Sequence, residues 1–122
     1  MSHIIPLKTF SDNRWDLTVI EKVLPFTIQR IYYIYNVAEG EIRWGHRHLK
    51  TIQALICLQW NCLIYTDNWT EEKTYKLNNP NLCLILNPND WHTMEFQNNA
   101  ILLVIASELF DPDDYIAEKI KK

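Results

Sequence analysis

Ile101-Leu102-Leu103-Val104-Ile105-Ala106 reads as a strand that is apolar on both faces. Successive side chains of a strand point to opposite faces, so a run without polar alternation needs cover on each side. A second sheet or another subunit can supply it. Short runs rich in Ile, Leu, Val, Tyr and Trp recur along the chain, separated by Asn, Asp and Pro. They predict strands over Leu17–Ile20, Arg30–Asn36, Ile42–His48, Gln53–Gln59, Cys62–Thr66, Lys73–Leu77, Leu82–Leu86, Thr93–Phe96 and Ile101–Ser107. Strands at this density, with polar turns between them, indicate an all-β sandwich or barrel of short antiparallel strands.

The chain has two glycines, Gly40 and Gly45, so its tight turns fall to Asn and Asp, which tolerate left-handed backbone best among residues with a Cβ. Thr66-Asp67-Asn68-Trp69-Thr70 and Asn78-Asn79-Pro80-Asn81 fit that role. The tail differs. Asp111-Pro112-Asp113-Asp114 offers a cap, a first-turn proline and acidic residues, and lysines follow. That charge bias predicts a short C-terminal helix through about Lys122. The expected architecture is an all-β jelly roll with a short C-terminal helix.

Length and composition bound the function. A chain of 122 residues forms one domain, spanning 1–122, with room for a real core. At 48% hydrophobic and 22% charged residues it is globular. The net charge of −3 and the scattered Lys and Arg argue against a nucleic-acid binder. No apolar run reaches the roughly 18 residues that span a membrane. Met1-Ser2-His3-Ile4-Ile5-Pro6 lacks the basic start and long apolar run of a secretory signal. Cys57, Cys62 and Cys83 are odd in number and form no CxxC pair, and Cys57 and Cys83, in apolar runs, suit buried free thiols. These features together describe a cytoplasmic protein.

Chemistry concentrates in Arg43-Trp44-Gly45-His46-Arg47-His48. On a strand His46 and His48 share a face and Arg47 takes the other. Paired imidazoles suit a metal or proton transfer near neutral pH. Arg30 and Tyr32 likewise share a face, so these strands can line a basic, protonatable cavity. Arg30 and Arg43 are candidate diphosphate contacts, because guanidinium matches phosphate oxygens in bidentate geometry. The alternative is that each pairs with a carboxylate such as Glu39 or Glu41. Trp44, Trp60, Trp69 and Tyr33 are expected in the core or at an interface rather than stacked on a base. His3 is expected to be a terminal residue without a role.

A small barrel with His-x-His on one strand and Asn87-Pro88-Asn89-Asp90-Trp91-His92 on a later hairpin resembles a cupin. The metal-binding cupin pattern places Glu where this chain has Gln53, a weaker ligand; His46, His48 and His92 remain a possible three-histidine zinc set. No resident metal is expected. A closer resemblance lies in an ordered set of motifs: Asp12-Asn13-Arg14, Pro25-Phe26, Arg30-Ile31-Tyr32-Tyr33-Ile34, Arg43 with His46-Arg47-His48, Lys50 and Gln53, then Trp91-His92-Thr93-Met94 and Asp113-Asp114-Tyr115-Ile116. In this order they resemble the nucleotide-sugar 3,4-ketoisomerases.

That resemblance implies a cupin-type double-stranded β-helix that forms a metal-independent homodimer. It implies movement of the keto group of a dTDP-4-keto-6-deoxyglucose from C4 to C3, on the way to deoxyamino sugars, with no cofactor. His46 matches the family's catalytic base, His48 its second histidine, and Tyr32 a tyrosine that passes or holds a proton. Arg14 and His92 match positions that accompany product stereochemistry, and this pair resembles the branch giving the galacto product. Gln53, Arg30 and Arg43 complete the expected substrate-binding set. Trp15 and Arg47 depart from the family pattern, where a glycine and a small residue are usual.

Overall fold

The computed structural model describes residues 2–120. Ten strands follow one another: β1 His3–Pro6, β2 Lys8–Ser11, β3 Asp16–Val19, β4 Arg30–Ile34, β5 Ile42–His48, β6 Gln53–Asp67, β7 Glu72–Leu77, β8 Leu82–Leu86, β9 Trp91–Ala106 and β10 Tyr115–Ile116. All pairings are antiparallel. No helix among the described residues is long and apolar enough to cross a membrane.

β6 and β9, at 15 and 16 residues, pair along nearly their whole length and organise the rest. Gln53–Cys57 of β6 faces Leu102–Ala106 of β9, and this half carries β8 and β1 on one flank and β4 on the other. Asn61–Asp67 faces Trp91–Gln97, and that half carries β7 on one flank and β5 with β10 on the other. The sheet therefore curls into two leaves that share their central strands, a jelly roll. The bend lies at register shifts around Gln59, where Trp60 on β6 and Asn98 on β9 take positive φ of 61° and 56°. A bulge inserts unpaired backbone and sharpens the local twist, which lets one strand pass from leaf to leaf.

The core follows from strand alternation. Leu55, Cys57, Leu102 and Val104 from one leaf meet Cys62, Ile64, Met94 and Phe96 from the other. Ala54, Ile56 and Ile105 point outward from the first leaf and pack with Leu7, Cys83 and Ile85, covered by Ile20, Leu24 and Phe26. Both faces of the Ile101–Ala106 run are thus covered within the chain: a second leaf on one side, the segment after β3 on the other. All three cysteines are free and buried.

Several expectations need correction. Gln53–Gln59 and Cys62–Thr66 are one strand, as are Thr93–Phe96 and Ile101–Ser107, because bulges rather than turns interrupt them. His3 opens β1 and pairs with Ile85. Trp60, Trp69 and Tyr33 are 58%, 46% and 62% exposed, which overturns the core half of their expectation and not the interface half; the side chain of Trp44 falls outside what is described. The C-terminal helix is only a 3₁₀ turn, Pro112–Asp114. Its cap is as expected, since Asp111 accepts the N–H of Asp113 at 3.0 Å. The turn stops because Tyr115 is extended and pairs with His48 on the edge of β5, with Ile116 opposite Arg47. No helix forms over residues 117–120, and Lys121 and Lys122 lie outside the described residues.

Candidate active site

β5 enters the site through a bulge. Its register against β9 shifts between Arg43 and His46, and Gly45 sits inside the shift. Beyond it His46 pairs with His92 across the ladder, while His48 pairs with Tyr115 of β10. Three strands thereby bring four rings together. The His46 ring centroid lies 5.0 Å from His48, 4.6 Å from His92 and 5.2 Å from Tyr115, and His48 lies 4.5 Å from Tyr115.

His46 reaches a cleft of about 250 Å³ lined by Tyr32, Ile34, Arg43, Met94 and Tyr115 as well. His48 and His92 stand behind it, 4% and 1% exposed. Each is oriented through Nδ1. His48 Nδ1 faces Asp114 Oδ2 at 2.9 Å, and His92 Nδ1 faces the carbonyl of Asp90 at 2.9 Å. Burial pushes the His92 pKa down to about 3, and the neighbouring His46 adds to this. Burial also lowers His48, against the opposing pull of Asp114. Both rings are therefore neutral near pH 7. Asp114 stays ionised: burial raises its pKa, but the hydrogen bonds from Thr51, the Lys50 backbone and His48 outweigh that.

Tyr32 accepts a hydrogen bond from Gln53 Nε2 at 3.2 Å. Burial, helped by Tyr115, pushes its pKa up to about 12, so it remains a phenol with its proton available. Gln53 is 2% exposed and does not line the cleft; it supports Tyr32 from behind. The Arg30 guanidinium stacks on the Tyr32 ring at 4.3 Å. Arg43 lines the cleft and also approaches Glu41 at 4.0 Å, an exposed pair of little energetic weight.

Of the residues expected at the site, the fold assembles His46, Tyr32 and Arg43 on the cleft, with His48, His92, Gln53 and Arg30 next to them. It does not bring Arg14. That residue sits between β2 and β3, a two-stranded ribbon separate from the main sheet, with its guanidinium held by Asp12 at 2.8 Å. Arg47 turns away from the cleft as expected, donating from Nε to the carbonyl of Glu118 at 2.9 Å and from Nη1 to Asn89 Oδ1 at 2.6 Å. Asp114 and Tyr115 join the site although the sequence places them at the start of a short helix. Their signal was the break in helical pattern at Tyr115-Ile116, a β-prone pair directly after a one-turn cap.

Comparisons with known proteins show the family of this fold. The family described as FdtA, WxcM-like, C-terminal matches residues 1–121. The TDP-4-oxo-6-deoxy-alpha-D-glucose-3,4-oxoisomerase of Aneurinibacillus thermoaerophilus is 35% identical over 118 residues, which are 94% of this chain and 85% of that protein. The WlaRB TDP-quinovose 3,4-ketoisomerase of Campylobacter jejuni superposes with a TM-score of 0.91 at 33% identity, covering 96% of this chain and 92% of that one. The QdtA 3,4-ketoisomerase of Thermoanaerobacterium thermosaccharolyticum, solved as a histidine-to-asparagine variant with TDP-4-keto-6-deoxyglucose, superposes with a TM-score of 0.91 at 38% identity. That match covers 96% of this chain and 87% of QdtA. With its cupin-like roll, its clustered histidines and this kinship along nearly its whole length, the chain belongs to the FdtA family of sugar-nucleotide 3,4-ketoisomerases.

Proposed function

We propose that one domain spanning residues 1–122 isomerises TDP-4-keto-6-deoxy-D-glucose to the 3-keto sugar through an enediol. The observation that carries this reading is the position of His46, on the wall of a cleft shared with the phenol of Tyr32 and backed by two neutral imidazoles. The C3 proton of the substrate is acidified by the C4 ketone. His46 removes it, and the electron pair moves through C3–C4 to the C4 oxygen, which takes a proton from Tyr32. The enediol then returns its C3 hydroxyl proton to the Tyr32 oxygen as protonated His46 gives a proton to C4. The hydrogens removed are matched by hydrogens returned, so the chemistry calls for no redox cofactor. A base and acid placed in this way each contribute about 10²–10⁴-fold.

Arg43, at the cleft, and Arg30, beside Tyr32, are the proposed diphosphate contacts. The product assigned is the galacto-configured 3-keto sugar, on the strength of Arg14 and His92, and its place is in deoxyamino-sugar synthesis for surface glycans in the cytoplasm. Since Arg14 does not line its own chain's cleft, this assignment calls for a homodimer whose ribbon serves the second copy. Exposed apolar side chains favour such pairing: Phe10, Trp15 and Leu17 on the ribbon, and Ile31 and Tyr33 on β4.

The test is an NMR assay with TDP-4-keto-6-deoxyglucose in deuterated buffer containing EDTA. A 3-keto product carrying deuterium at C4 is expected, with the C4 coupling reporting galacto or gluco. His46→Asn should lose activity by orders of magnitude and keep TDP affinity. Persistent activity in that variant removes His46 as the base.

A further inference from the structure

Asp114 is 3% exposed and sits 66 residues beyond His48 in the chain, yet its acceptor directions are taken by that histidine and the three residues that follow it. Oδ1 accepts the N–H groups of Leu49 at 3.0 Å and Lys50 at 2.7 Å. Oδ2 accepts the Thr51 hydroxyl and meets His48 Nδ1 at 2.9 Å. A buried carboxylate so surrounded by donors only accepts. The proton of the shared bond therefore sits on His48 Nδ1, and in the neutral ring Nε2 carries the lone pair.

That Nε2 is buried and has no hydrogen-bond partner among the described residues. The same holds for His92, whose Nδ1 faces a backbone carbonyl and whose Nε2 is likewise without a partner. A buried polar atom left open costs free energy, which is characteristic of positions waiting for a ligand or a proton. The two unsatisfied nitrogens belong to the rings that flank His46.

We propose that Asp114 is a positioning residue for the isomerisation, fixing His48 as the Nδ1–H tautomer so that its Nε2 is an acceptor in the proton-handling cluster. This rests on the reading of His46 and His48 as that cluster. An amide at 114 separates tautomer from shape. Asparagine keeps its oxygen on the Leu49 and Lys50 N–H groups and turns its NH₂ toward His48 and Thr51. His48 must then accept at Nδ1 and carry its proton on Nε2, a donor where an acceptor is needed.

The experiment measures ¹⁵N-imidazole spectra and steady-state kinetics on the full chain. Wild type is expected to show His48 with its proton on Nδ1, and Asp114→Asn is expected to show it on Nε2. That variant should lose about 10²–10⁴-fold in kcat with KM within about threefold, a range whose upper end is the effect of a wrong histidine tautomer elsewhere. Leu77→Val, a core change, lowers Tm and leaves tautomer and kcat alone, and a merely structural Asp114 would make Asp114→Asn behave in the same way. Wild-type His48 protonated on Nε2 overturns the proposal even if the variant does not fold. So does an unchanged kcat in a variant whose tautomer has reversed. The tautomer readout needs no sugar, so it stands apart from any failure of the substrate assignment.

Discussion

The indole of Trp91 occupies the space where a side chain on Gly45 would begin: an ideal Cβ there would lie 1.9 Å from Trp91 Cζ2. The indole is held in turn by a hydrogen bond from Nε1 to the carbonyl of Ala117 at 2.8 Å, so it cannot yield freely. Gly45 immediately precedes His46, and it lies in the bulge that sets the register of β5.

Gly45→Ala should therefore destabilise the fold by about 1–3 kcal/mol, as overpacking does. It should also lower kcat more than its effect on Tm would imply, because His46 moves with the bulge. Thermal melts and kinetics below the melting range separate the two effects.

Gln53 holds Tyr32 through one amide hydrogen bond while its own Oε1 is buried with no partner among the described residues. Gln53→Leu keeps the volume and removes both the bond and the unsatisfied oxygen. Stability should change by less than about 1 kcal/mol, since deleting an orphaned acceptor offsets the lost bond. The rate should fall by about tenfold as the phenol loses its orientation. A chemical melt alongside kcat checks both.

Acid should unfold this protein through its histidines. His92 titrates near 6.5 when unfolded and is pushed down to about 3 in the fold. Between those values the unfolded chain binds the extra proton, so stability falls as pH drops from about 6.5 toward 3, by up to roughly 1.4 kcal/mol per unit. His48 adds to the slope in the same direction. Urea melts at successive pH values should show this limb, and His92→Gln should flatten it.

Light scattering should return twice the 14.6 kDa of the chain. Tyr33→Glu, placing a charge on the exposed β4 face, should shift the protein toward monomer. Arg14→Tyr combined with His92→Arg should turn the C4 configuration of the product from galacto to gluco, read from its coupling constant. Retention of the galacto product would remove both residues from stereochemical control.

Much of the architecture was legible because alternation and turn residues are local signals. β4, β5, β7 and β8 follow directly from them. The bulges were not legible, because a positive φ at Trp60 comes from the need to bend a shared strand and leaves no mark on residue type. At the site, the His-x-His parity and the turning away of Arg47 followed from period two alone. The partner of His48 was hidden, since Asp114 lies 66 residues away and reads as an acidic residue of a helix's first turn. Arg14 shows the converse: a motif places it at the reaction, while the fold of one chain leaves it outside.

The strands shared between the leaves also govern how this molecule comes into being. β6 and β9 belong to both halves, so neither half has a complete set of ladder partners until the other is in place. The histidine cluster needs β5, β9 and the last strand, drawn from distant parts of the chain. Such non-local closure is slow and cooperative. Activity should thus recover on refolding in step with the whole roll, and no partly folded form should turn over substrate.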